Sequence, residues 1–298
     1  VNNCVVGGSC ASGVANSVSV SSSTNTNNLL TINAGSNLTI SNNLTISKSA
    51  GTGTLVVTTT GTGQLVVNGS VTITGSGGAD NAVLRNESAT ALLDVNGSLT
   101  ISTRGSLDLN ANGRLNLAGD FINNNSEAAF DQSTSTVIFD GTANQSINTN
   151  AFTDVFATLT VNKASGTLTL LDPIEIVNQV NFTSGIIISS ATGLLIFRDN
   201  ALANTPSHTS HTNGPVRKIG NDAFTFPVGN GTFYRNIAIS APSVTSDHFT
   251  AQFFDVSPDA VDGMAVAPIQ VPLTNISDCE HWILDRTNGN SNVFVTLS

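Results

Sequence analysis

The sequence predicts an all-β chain: a right-handed parallel β-helix (a β-solenoid) followed by an antiparallel β-sandwich-like region. Three observations carry this. Apolar–x–apolar triplets recur at short intervals, such as Leu38-Thr39-Ile40, Leu44-Thr45-Ile46, Leu65-Val66-Val67 and Leu99-Thr100-Ile101. Each puts alternate residues on one side, the period-2 sign of a strand with one buried face. Gly, Asn and Ser separate the triplets and supply turns. No window shows the i, i+3, i+4, i+7 spacing of a helix.

In chain order, residues 1–14 read as a Gly/Ser-rich N-terminal cap or loop. Cys4 and Cys10 within it are the candidate disulfide pair, which would suit an oxidising compartment; two separate thiols are the alternative, since sequence does not fix Cα geometry. Residues 15–214 read as the solenoid. Leu99, Leu107 and Leu115 keep a spacing of 8, and three such strands make a rung of roughly 20–25 residues. Rungs stack at about 4.8 Å, so ten of them form a rod on the order of 50 Å. Leu, Val and Ile are expected in columns inside, with Thr, Asn and Ser ladders outside. Asn and Gly suit left-handed backbone positions at the corners. From Phe121 onward phenylalanines enter and the turns lengthen, which predicts wider rungs. Pro173 belongs at a strand start or a corner, where no ladder N–H is needed. Prolines crowd between Pro206 and Pro272, beside Tyr234 and Trp282, which places a boundary near 214. Residues 215–298 read as the sandwich-like region. Because 293–297 looks like a strand at the very end, that region is expected to be cut short at its C-terminal side.

Composition narrows the function. Charged residues make up 10% of the chain, against roughly 25% in ordinary globular chains. The first 79 residues carry one charged side chain, Lys48. The net charge is −10 and the basic residues are scattered, with only Arg217 and Lys218 adjacent. A nucleic-acid groove needs clustered Lys and Arg, so no nucleic-acid partner is expected. No apolar run is long enough to span a bilayer.

Some segments resemble a known family. Thr136-Val137-Ile138-Phe139-Asp140-Gly141, with Gln145-Ser146-Ile147 and 159–166, is similar to a repeated motif of large secreted surface proteins. So are 212–218, 224–231 and Tyr234-Arg235. The chain thereby resembles the β-helical adhesin-like surface proteins of Bacteroidota exported by the type IX secretion system. The resemblance covers residues 130–298 and extends to the N-terminal part only in style. It implies a secreted or cell-surface location. The C-terminal secretion signal of that family has no counterpart in this sequence.

Candidate chemistry is sparse. Asp255, Asp259 and Asp262, beside Gly263, are candidate Ca2+ ligands; a polar turn is the plainer reading, because their spacing does not alternate as calcium loops do. No other cofactor is expected. His208 and His211 form an HxxH that reads as a pair of metal-binding imidazoles or as solvated loop residues. Asp94, Asp108 and Asp120 lie isolated among neutral residues, so no catalytic residues are assigned and the chain is not expected to be an enzyme. Threonine triplets such as 58–60 do not recur at one rung period. The expected function is a stalk or filament component mediating cell adhesion. Its expected partners are target cell surfaces or glycans and, through self-assembly, other copies of itself as a homo-oligomer. The rival classes are a carbohydrate-active β-helix enzyme, which needs two acidic side chains converging in one groove, and a glycan-binding module.

Overall fold

The structure is a computed structural model and describes residues 3–6, 12–76, 81–110, 112–258 and 279–297. It is nearly all β, with a parallel β-solenoid of about nine turns and an antiparallel part at the C-terminal end. Each turn of the coil has three strands, so the solenoid has three faces. The first face stacks Asn3–Val6, Asn28–Ile32, Leu55–Thr59, Ala82–Asn86, Gly105–Asp108 and Phe130–Asp131 in parallel. The second begins with Ser12–Ala15, Asn37–Ile40, Gln64–Val67 and Leu92–Val95. The third begins with Val18–Ser22, Leu44–Lys48, Val71–Thr74 and Leu99–Ile101. Leu99, Leu107 and Leu115 are thus consecutive inward residues on three successive faces, which explains their spacing of 8. The ladders begin before residue 15 and continue past 214, since Thr212–Asn213 pairs in parallel with Val228–Gly229.

The turns do not widen after Phe121; they shorten. Asn28 pairs with Leu55 and Leu55 with Ala82, 27 residues per turn. Leu92, Arg114, Thr136 and Thr158 then follow at 22 residues, and Ile174, Leu195 and Val216 at 21. Phenylalanines enter because the core admits rings here. Phe121, Phe130 and Phe156 meet edge-on or tilted, with centroids 5.1–5.5 Å apart. Such contacts add to the roughly 1.5–3 kcal/mol from burying each large apolar side chain. Inside, columns such as Leu38–Leu65–Leu93–Leu115–Val137–Leu159 run along the axis. Outside, Ser19, Thr45, Thr72 and Thr100 stack in register on the third face. The expected threonine ladder therefore exists, built from residues other than the triplets.

One corner recurs with its sequence. Between the second and third faces stand Asn68-Gly69-Ser70, Asn96-Gly97-Ser98 and Ala118-Gly119-Asp120. Each side chain at the third position accepts the backbone N–H of its successor. Ser70 Oγ takes Ser98 N–H at 3.1 Å, Ser98 Oγ takes Asp120 N–H at 3.0 Å, and Asp120 Oδ1 takes Ser146 N–H at 2.7 Å. The glycines are there for closeness rather than for a left-handed φ. A Cβ on Gly97 would lie 2.6 Å from the carbonyl carbon of Gly69 one turn back. Neither backbone can retreat, because Gly97 N–H donates to Gly69 O at 2.9 Å. Gly97→Ala is therefore expected to lose about 1–3 kcal/mol of stability, read as a lowered midpoint of denaturant unfolding. An unchanged midpoint would contradict the close stacking.

Three lysines are buried, each 1–2% exposed: Lys48, Lys163 and Lys218. Each ammonium caps carbonyls at a corner of an adjoining stretch of coil. Lys163 Nζ donates to Gly141 O (2.7 Å), Ala143 O (2.9 Å) and Gln145 Oε1 (2.6 Å). Lys48 donates to Thr24 O and Ser22 Oγ. Lys218 donates to Arg198 O, Ala201 O and Asp222 Oδ1, with its ammonium over the Phe224 ring. Burial lowers the pKa of Lys163 and Lys218, opposed by Asp140 and Asp222 respectively.

At its C-terminal end the first face turns antiparallel. Val216–Ile219 pairs with Leu195–Phe197 on one side and with His248–Phe254 on the other, and His248–Phe254 pairs with His281–Asn288. A second sheet of Phe224–Phe226, Ile237–Ile239 and Val295–Leu297 is also antiparallel. Phe226, Ile237, Phe249 and Phe253 join the continuous core, against which Trp282 packs. The open end of the first face is thus covered by this chain's own strands, which removes one edge on which other strands could add.

Candidate functional site

The sequence candidates disperse. Cys10, Asp259 and Asp262 lie outside the described residues, as does the side chain of Cys4, and Asp255 is exposed and accepts a hydrogen bond from Asn230 Nδ2 at 2.6 Å. Cys279, read from sequence as a buried thiol or a partner for a residue beyond the chain, is exposed. Among the described residues no three His, Cys, Asp or Glu side chains group as metal ligands. His208 and His211 are neither a metal pair nor both solvated. His211 is fully buried; its Nδ1 lies 2.9 Å from Ser207 O and its Nε2 accepts Gly231 N–H at 3.0 Å. His208 Nδ1 accepts Tyr234 N–H at 3.0 Å. The two imidazoles fasten one loop to the next, and burial lowers the pKa of His211.

Asp94, Asp108 and Asp120 sit at three places around the coil. Asp94 points outward on the second face, where burial and Asp140 raise its pKa. Asp120 serves the corner between the second and third faces. Asp108 lies on the outer side of the first face and belongs to a larger arrangement.

That arrangement is a trough along the first face. Its floor holds two outward columns, Leu29–Val56–Val83–Ser106 and Thr31–Thr58–Arg85–Asp108–Asp131, each in strand register. Corner residues form the walls. Toward the N-terminal end a cavity of about 440 Å³ is lined by Asn27, Asn28, Leu29, Val56, Thr58 and Arg85. Toward the middle a cavity of about 680 Å³ is lined by Glu127, Asp131, Gln132, Phe152, Val155 and Arg198. The Arg85–Asp108–Asp131 column joins the two.

Charge in the trough is ordered. Arg85 donates from Nε to Asp108 Oδ2 at 2.7 Å and from Nη1 to Glu87 Oε1 at 3.3 Å. Arg198 pairs with Glu175. Burial raises the Asp108 pKa against the opposing effect of Arg85. Asp108 Oδ1 and Thr58 Oγ1 are buried without a hydrogen-bond partner. Behind the trough, Asp154 is fully buried in the inward column Asp154–Ile174–Leu195–Val216. Asn123 Nδ2 donates to both its oxygens at 2.9 and 3.1 Å. Burial, with Glu127 and Asp172 nearby, pushes its pKa up to about 7. It faces the core, so it cannot meet a ligand in the trough.

The fold and this face define a parallel β-solenoid with a polar and apolar surface trough. Comparison with protein-family models, with curated proteins and with solved structures finds no match to the chain.

Proposed function

We propose that the chain is a stalk segment of a secreted cell-surface adhesive protein, a non-catalytic rod that holds attachment surfaces away from the cell. The observation that carries this reading is the unbroken stacking of three parallel ladders over about nine turns. Such a coil is rigid along its axis and presents the same outward columns turn after turn. Many weak contacts repeated along a rod sum to avidity. The neutral hydroxyl ladder of Ser19, Thr45, Thr72 and Thr100 offers few like charges to keep copies apart, so lateral association of copies belongs to the same reading.

Beads coated with the chain are expected to attach to cells and glycan-coated surfaces more than beads coated with an inert protein of similar net charge. Sedimentation of the chain is expected to show species larger than one copy as concentration rises. Attachment no better than the inert control would contradict the adhesive role, and strictly monomeric sedimentation would contradict self-association.

A further inference from the structure

We propose that the trough on the first face binds an extended neutral polysaccharide, seated on Phe152 and Val155 and hydrogen-bonded by Glu127, Asp131 and Gln132. The inference rests on the adhesive reading for its setting and deepens it by naming the ligand class and the surface.

Shape is the first argument. Two cavities lie on one face, about 440 and 680 Å³, joined by the Arg85–Asp108–Asp131 column. From the turn of Leu29 to that of Val155 there are five rung intervals, on the order of 24 Å. That suits a chain lying along the rod rather than a single small molecule.

Chemistry is the second. In a β-sheet the backbone N–H and C=O groups are spent in the ladders, so a peptide cannot add here as another strand. What remains is side-chain carboxylate, amide and hydroxyl beside half-buried Phe152 and Val155. Sugar rings present that combination in mirror form, hydroxyls at the edge and an apolar C–H face. Thr58, 3% exposed, lines the trough with an unpartnered Oγ1, and Asp108 Oδ1 is unpartnered beside it. Unpaired buried polar atoms are unfavourable unless a ligand or water completes them.

Charge is the third. Glu87, Asp108, Glu127, Asp131 and Glu175 outnumber Arg85 and Arg198, and both arginines are already bound to carboxylates. The excess is negative, on a chain of net charge −10. Anionic polymers are repelled by such a surface and neutral ones are not.

The test is affinity electrophoresis of the chain through gels containing hydroxyethylcellulose, xylan or mannan, with alginate as the anionic comparison. At least one neutral polymer is expected to retard the protein, and alginate is not. Phe152→Ala and Asp131→Ala are each expected to weaken retardation about tenfold, while Phe152→Tyr keeps it. Circular dichroism melting confirms that each variant is folded. Absence of retardation by all three neutral polymers, stronger retardation by alginate, or unchanged retardation of folded Phe152→Ala overturns the proposal. The two readings fail separately. Coated beads that attach equally well with Phe152→Ala leave adhesion standing and remove the trough. Retardation without bead attachment leaves the trough and removes adhesion.

Discussion

Lys163→Met is expected to destabilise the coil by about 3–5 kcal/mol, one of the two largest effects foreseen for a single substitution. Methionine keeps most of the stem, on which Gly185 of the next turn sits with its missing Cβ only 2.8 Å from Lys163 Cβ. It removes the ammonium that serves Gly141 O, Ala143 O and Gln145 Oε1. Each buried acceptor left unpaired costs roughly 1–3 kcal/mol, and water cannot readily replace a group that is 2% exposed. Urea unfolding of the two proteins side by side measures the loss. A difference below about 1 kcal/mol, within the range of surface substitutions, would show that the corner carbonyls find other donors.

Asp154→Asn is expected to stabilise the protein above neutral pH and to flatten its pH profile. The folded carboxyl titrates at about 7 against a reference of 3.8. Between those values the folded state holds the proton more tightly than the unfolded chain. Stability from this group is therefore full below the unfolded pKa and lost as pH rises through about 7. At roughly 1.4 kcal/mol per pK unit the loss amounts to about 4 kcal/mol at pH 8. Asparagine is neutral at every pH and keeps an oxygen for Asn123 Nδ2. The melting temperature of Asp154→Asn should exceed that of the parent at pH 8 and converge with it near pH 4. Parallel pH profiles for the two proteins would show that Asp154 is not held neutral by the core.

How far these features could be read from sequence depends on whether they repeat. The inward columns were legible because Leu93, Leu115 and Leu159 recur in similar triplets, and period-2 burial follows directly from the strand. The corner was visible as Asn68-Gly69-Ser70 and Asn96-Gly97-Ser98, but its reason was not. Left-handed backbone was expected, whereas the glycines serve a close approach between turns that only the stacking reveals. Rung length was misjudged after Phe121 because larger side chains suggested a wider coil, while shorter corners in fact tightened it. The buried lysines were illegible, since a lone lysine such as Lys48 at a strand end reads as a solvated tip. His211 misled for a related reason: its partners Ser207 and Gly231 come from two separate loops. The trough was illegible too. Glu127, Phe152 and Arg198 come from different turns, and nothing in their local sequence announces that they share a wall.

All of this depends on equivalent residues stacking turn upon turn, which one distance tests directly. Thr39, Val66, Asp94, Asn116, Ile138, Thr160, Asn181 and Asn204 form a single outward column on the second face. Spin labels at Thr39 and Asn204 are seven rung intervals apart, about 34 Å. Pulsed electron resonance on the doubly labelled protein should give a narrow distribution near that value. If strands adjacent in sequence paired with one another instead, the same labels would lie roughly 80 Å apart, and a mean beyond about 60 Å or a broad featureless distribution would contradict the solenoid.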